Sequence, residues 1–285
     1  MKKLLVFAAV LFLAGCESLF FHPSKQLLYS PEVCAHQPEN FFIESKDDVV
    51  LHAWLFRTKA PNPKGTVIFM HGNSRNMSTE SLGMLWLVEA GYNLFTFDYR
   101  GYGASKGEPS ILGIMVDAAE ALDGFMQIED ISKDNLILWG QSLGGAAASY
   151  TAANSPHSDK IKILLLDSTF TSWRDIAKDQ AANIFIAWPF QYPISWFYPD
   201  NMSSKIHVEQ SKIKNTLIIH SSADKLIDIK HGKELYDLSK EPKEFFQYDY
   251  AEHARIVMNA VNRPKILEYF DTVLKESAFE GVLPK

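Results

Sequence analysis

From Phe41 onward, apolar and polar positions follow two rhythms. FFIES (41–45) and VVLHAWLFR (49–57) alternate as antiparallel strands do, with Lys46-Asp47-Asp48 as the turn between them. Short runs that are apolar almost throughout come next: TVIFM from Thr66, NLFTFDY from Asn93, NLILW from Asn135, KILLLD from Lys162 and NTLIIH from Asn215. Between the first four lie stretches of helical period, such as ILGIMVDAAEALDGFMQ (111–127). Runs without a polar face belong to parallel strands covered on both sides by crossover helices. The rhythm therefore predicts an α/β fold: a mostly parallel, doubly wound sheet with antiparallel N-terminal strands.

One interval breaks the alternation. Residues 170–210 separate two strand candidates and hold eight aromatic side chains from Trp173 to Tyr198, together with Pro189, Pro193 and Pro199. A structureless loop of that length is out of place in a compact domain. The composition predicts a small helical cap over the sheet edge, its aromatics lining a pocket.

The start of the chain has a different character. MKK is a short basic segment, LLVFAAVLFL an apolar one, and LAGC (13–16) places small residues before a cysteine. This pattern predicts an export signal over 1–15, too short for a spanning helix. LAGC resembles a bacterial lipobox, which implies lipid on Cys16, a cell-envelope location and contact with the membrane through that lipid. Residues 16–40 are then expected to be a tether, with Phe20 and Phe21 near the membrane surface, ahead of a single domain over 41–285. Cys34 is the only other cysteine, so a lipidated Cys16 leaves no partner for an intramolecular disulfide.

Composition narrows the function. The chain has 285 residues, 47% hydrophobic and 22% charged, with a formal net charge of -6. No basic patch stands out, which argues against nucleic acid as a partner. No Cys/His cluster has metal-ligand spacing, and no cofactor is implied.

The stretch NLILWGQSLGGAAASY (135–150) carries the chemistry. A strand candidate ends at Gly140 and a helix candidate begins at Leu143, so Ser142 sits on a sharp strand-to-helix turn. Gly140 and Gly144 relieve the crowding, and the turn lifts the hydroxyl above the sheet edge at a helix N-terminus. A serine needs a base, and the base needs an orienting acid. In the strand–turn–helix arrangement the chain order is serine, acid, histidine. Asp224 follows the strand candidate NTLIIH, and His253 follows FFQYDY, which puts both on the edge that carries Ser142. His231 is the rival base and Asp228 the rival acid, while Glu252 adjoins His253. Two N–H donors are needed for an oxyanion: that of Leu143, directly after the nucleophile, and that of Asn73 in the loop HGNSRNMS after TVIFM.

With these residues in place, the chain resembles an α/β-hydrolase over roughly 41–270. HGN (71–73), DYRGYGASKGEPS (98–110), GQSLGG (140–145), LLLDSTF (164–170), Asp224 and SKEPKEFFQYDYAEH (239–253) match in order. It is most similar to the small serine esterases whose eukaryotic members include protein depalmitoylases, which remove palmitate. The resemblance implies Ser142, Asp224 and His253 as the catalytic triad, and Asn73 and Leu143 as the oxyanion donors. Relatives usually carry glycine directly before the histidine, where this chain has Glu252. DYRGYG is expected to be structural, with a buried ion pair shaping its loop.

The leading expectation is a serine hydrolase acting on a carboxylic ester or thioester through an acyl-enzyme. A peptidase on the same triad is the alternative, with Asp175, Asp179 and Asp200 in the cap as candidates to hold a substrate amine. A third reading, disfavoured by the complete triad, is an inactive envelope scaffold.

Overall fold

The computed structural model describes residues 20–27, 36–183, 185 and 187–280. Cys16, Cys34 and the export signal lie outside the described residues. Eight strands form one sheet: β1 (Glu39–Glu44), β2 (Val50–Phe56), β3 (Thr66–Met70), β4 (Asn93–Phe97), β5 (Leu136–Gln141), β6 (Ile161–Asp167), β7 (Asn215–Ser221) and β8 (Lys243–Tyr248). Their spatial order is β8-β7-β6-β5-β3-β4-β2-β1. The pairs β1–β2 and β2–β4 are antiparallel, and every other pair is parallel. This is the mixed, doubly wound sheet that the apolar rhythm predicts.

Alternation along each central strand divides the core between the two faces. Val67, Phe69, Ile137 and Trp139 point to one face, where they meet Trp86, Leu87, Ile266 and Phe270. Ile68, Met70, Leu136 and Leu138 point to the other, against Ile114, Ala118, Ala147 and Ala148. On that second face lie the helices α1 (Ile111–Met126) and α2 (Leu143–Asn154). Ser110 starts α1 by accepting the N–H of Gly113, as a good N-cap residue does. The helix α2 is nearly all buried, which its run of glycine and alanine permits.

Residues 170–210 contain α3 (Trp173–Ala182), a short turn of helix at Gln191–Ser195, and α4 (Ser204–Gln210). Two helices follow, α5 (Ile229–Leu238) and α6 (Arg263–Glu280).

The segment 20–27 departs from the expected tether. Phe21 is buried in the core, and the Phe20 ring packs on Trp173 with centroids 5.2 Å apart. His22–Pro23 pairs in parallel with Ser74–Arg75. Asn76 Nδ2 donates to the carbonyls of Ser24 and Gln26. These two phenylalanines were the ones expected near a membrane surface. They are instead folded in, because the loop after β3 and the cap offer them an apolar cleft.

Candidate active site

The ends of β5, β7 and β8 bring the three predicted residues together. Ser142 Oγ lies 2.9 Å from His253 Nε2, and His253 Nδ1 lies 2.8 Å from Asp224 Oδ2. Asp224 Oδ1 accepts the N–H groups of Leu226 and Ile227, each at 2.9 Å. Burial alone would raise the Asp224 carboxyl. The hydrogen bond and charge of His253, with those two N–H groups, outweigh burial and hold it below the ordinary carboxylate value. Asp224 is therefore an anion at neutral pH. With Nδ1–H donating to it, Nε2 is left free to accept the serine proton.

The local backbone displays the serine. Ser142 has φ +54° and ψ −116°, a conformation that side chains rarely adopt. Its N–H donates to the Asp167 carbonyl at 2.8 Å, and its own carbonyl accepts from Thr169 Oγ1 at 2.6 Å. The flanking glycines are required by close approach. A Cβ on Gly144 would run into the Met70 carbonyl, and one on Gly140 into the backbone of Gly144.

The rival residues are committed elsewhere. Asp228 caps α5 by accepting the N–H of Lys230 at 2.8 Å. His231 is buried between Thr171 Oγ1, at 2.8 Å, and Asp179 Oδ2, at 3.2 Å. Glu252 is exposed, and among the described residues its side chain reaches toward Arg255, at 3.9 Å. The turn that a glycine before the histidine would ease is made one residue after it, where Ala254 has φ +55°.

Leu143 and Asn73 both line the cleft beside Ser142. Leu143 is the first residue of α2, so its N–H has no acceptor within the helix. The Asn73 side chain is tied down: Oδ1 accepts from Tyr102 OH at 2.8 Å and from the His22 N–H at 3.2 Å, while Nδ2 donates to the Phe20 carbonyl. The side chain thus fixes the loop beside Ser142. The ion pair expected at DYRGYG exists with other partners. Arg100 binds Asp117 of α1 and Asp47, whereas Asp98 receives the Met77 N–H at 2.7 Å.

The cleft has a volume of about 820 Å³. Phe170, Ile176, Leu226 and Met258 give it apolar walls, and Arg75 and Arg255 stand at its side against one carboxylate, Glu80. None of the eight aromatics from Trp173 to Tyr198 lines it, contrary to expectation; its aromatic lining comes from Phe170 and Phe20. The aromatics from Phe185 to Phe197 are exposed, because the short helices of that stretch turn their apolar faces outward. Among the described residues, no group of His, Cys, Asp and Glu is arranged to hold a metal ion.

Another buried carboxylate, at the same sheet edge as Asp224, carries no role in the sequence pattern. Asp167 ends β6, accepts from Gln141 Nε2 at 3.1 Å and from Ser168 Oγ at 2.9 Å, and is fully enclosed. Burial raises its pKa to about 6 against the opposing effects of Gln141, Ser168 and the charge of His253. The only sequence signal was an acid at a strand end on the same sheet edge.

Comparison with known proteins places this geometry in a family. Residues 61–206 match the Hydrolase_4 family model, described as serine aminopeptidase, S33. A Salmonella typhi protein called uncharacterized protein YfhR is 33% identical over 236 residues, covering 79% of this chain and 76% of its own. The lysophosphatidylserine lipase ABHD12 of Gallus gallus is 24% identical over 268 residues, covering 81% of this chain and 69% of its own. The structure of the Pyrococcus furiosus esterase Pf2001 superposes with a TM-score of 0.71 at 17% identity, covering 90% of this chain and 98% of that one, a likeness of fold. With half its length under the family model and a third of its residues shared with YfhR over most of both chains, the protein belongs to the serine aminopeptidase S33 family of α/β-hydrolases.

Proposed function

We propose that the protein is a serine hydrolase that cleaves carboxylic esters or thioesters through an acyl-enzyme, with Ser142 as nucleophile. The observation that carries this reading is the continuous path from Ser142 Oγ through His253 to Asp224, with contacts of 2.9 and 2.8 Å, on the wall of an open cleft. Ser142 Oγ attacks the carbonyl carbon as His253 Nε2 takes its proton. The N–H groups of Leu143 and Asn73 hold the oxyanion, a stabilisation of about 3 kcal/mol per donor. His253 then returns the proton to the leaving alkoxide or thiolate. Water, activated by the same imidazole, releases the acid.

Apolar walls beside two arginines favour a substrate with an acyl chain and a nearby anionic group. The name of the Gallus gallus relative points the same way, toward single-chain anionic phospholipids. The family description favours a peptidase as the second reading. That reading loses its amine-binding candidates, since Asp175 and Asp200 pair with Lys205, and Asp179 pairs with Lys230 and His231. Lipid on Cys16 and residence in the cell envelope belong to the same proposal and rest on LAGC. Among the described residues, no helix is long and apolar enough to cross a membrane.

A fluorophosphonate probe is expected to label the native protein and to leave Ser142→Ala unlabelled; equal labelling of both overturns the assignment. Aryl esters of rising acyl length, run beside aminoacyl amides, decide between the two substrate classes. Faster turnover of the amides would make the peptidase reading the correct one. For the anchor, Cys16→Ser should lose processing of the segment before it; unchanged processing overturns the lipid anchor.

A further inference from the structure

The cap presents aromatic side chains to solvent on a scale that a soluble surface rarely shows. Phe185 is 94% exposed and Trp196 71%, and Trp188, Phe190, Tyr192 and Phe197 are each more than half exposed. They lie within Asn183–Tyr198, a stretch that contains no Asp, Glu, Lys, Arg or His. Scattered apolar residues on a surface need no explanation, whereas a run of six large aromatics without a charge marks an interaction surface.

Three observations identify what covers it. Trp and Tyr combine an apolar ring with a polar edge, the composition that settles at the boundary between lipid headgroups and acyl chains. The N-terminal chain joins the fold at this same place: the Phe20 ring packs against Tyr198, at 6.0 Å between centroids, and against Trp173. Tyr198 closes the aromatic stretch, and Cys16 is four residues before Phe20, at most roughly 14 Å along an extended chain. The cleft opens alongside, since Phe20, Phe170 and Ile176 of α3 line it.

We propose that the aromatic face at 185–197 docks on a phospholipid bilayer and holds the mouth of the Ser142 cleft at the lipid–water boundary. A single acyl chain on a protein gives only marginal membrane binding, and stable attachment takes a second contact. The cap supplies that contact independently of Cys16. It also orients the protein, so that an acyl chain leaving the bilayer meets the apolar walls of the cleft without crossing water.

The test uses the full chain with vesicles of phosphatidylcholine, with and without phosphatidylglycerol. Brominated acyl chains are expected to quench tryptophan fluorescence in the native protein, and the quenching should be lost in Trp188→Phe/Trp196→Phe. This readout does not depend on catalysis, so it stands or falls separately from the hydrolase reading. In Phe185→Ser/Trp188→Ser/Trp196→Ser/Phe197→Ser, hydrolysis of an aryl ester embedded in the vesicles should fall roughly tenfold or more. Hydrolysis of a short water-soluble ester should stay within about twofold, because none of the four side chains lines the cleft. Quenching that persists in the double phenylalanine variant overturns the proposal. So does native turnover of the embedded ester by the four-serine variant. A native protein that sediments as an oligomer and becomes monomeric in the four-serine variant overturns it in favour of an interface between copies.

Discussion

Gln141 donates its side-chain N–H to the enclosed carboxylate of Asp167 at 3.1 Å and also reaches the Ala254 carbonyl at 3.3 Å. The residue before Ser142 is thereby joined to the residue after His253, through a group whose charge is costly to bury. Asp167 titrates at about 6 in the folded protein, above the ordinary 3.8. Below pH 3.8 the carboxyl is neutral in both states and costs nothing. As pH rises toward 6, the unfolded state ionises freely and the folded state does not. Stability therefore falls across this window, by on the order of 3 kcal/mol once pH exceeds 6. Asp167→Asn removes this dependence. The difference in unfolding free energy between variant and native protein, measured by urea denaturation at pH 4 and pH 7, should shift in the variant's favour by that order. A difference independent of pH would show that Asp167 is not destabilised by burial.

Asp224 carries the opposite shift, with a different consequence. Because His253 and two N–H groups hold its pKa below the ordinary value, it stays ionised throughout the range in which the imidazole works. Asp224→Asn keeps the shape, removes the charge and favours the wrong tautomer of His253. The expected loss in kcat is about 10⁴-fold at neutral pH, with the protein still folded. Asp228→Asn, which changes only the N-cap of α5, should leave kcat nearly unchanged. Comparable losses in the two variants would remove Asp224 from the triad.

Much of this site was legible because an α/β sheet places the ends of its parallel strands on one edge. Chain order and strand ends then select Ser142, Asp224 and His253 without knowledge of the packing. The strands were legible for the same reason: TVIFM and NTLIIH are buried on both faces, so their runs have no polar rhythm to confuse them. What escaped depends on contacts distant in sequence. Arg100 was expected to form an ion pair in its own loop. It reaches instead to Asp117, in the second turn of α1, a choice set by how α1 packs on the sheet. Phe20 and Phe21 carry no signal that separates docking in a cleft from docking on a membrane. For the cap aromatics, composition predicts the lining of a pocket, whereas the fold turns them toward solvent.

The loop that carries Asn73 is held by that side chain as well as by the pairing of Ser74–Arg75 with His22–Pro23. Asn73 binds Tyr102, His22 and the Phe20 carbonyl, so the strap at 20–27 and the position of the Asn73 N–H are linked. Asn73→Ala retains the backbone donor but releases its support. The expected result is a fall in kcat of roughly tenfold with little change in KM, part of the about 3 kcal/mol that a fully lost donor costs. A change confined to KM would mean that the loop serves binding and not the transition state.

Arg100 gives a paired test of what holds the neighbouring loop. It donates from Nε, Nη2 and its backbone N–H to Asp117, at 2.7 to 3.1 Å, inside the protein. Toward the surface it donates from Nη1 to Asp47, at 2.8 Å, where the carboxylate side chain is 47% exposed. The two bonds are similar in length and differ in surroundings. Asp117→Ala leaves a guanidinium largely enclosed without its main counter-charge, and should cost on the order of 3–5 kcal/mol. Asp47→Ala exchanges a solvent-screened partner for water and should cost less than about 1 kcal/mol. Urea denaturation of the two variants at the same pH measures both. Equal costs would mean that the enclosed pair with Asp117 holds Arg100 no more strongly than its surface contact does.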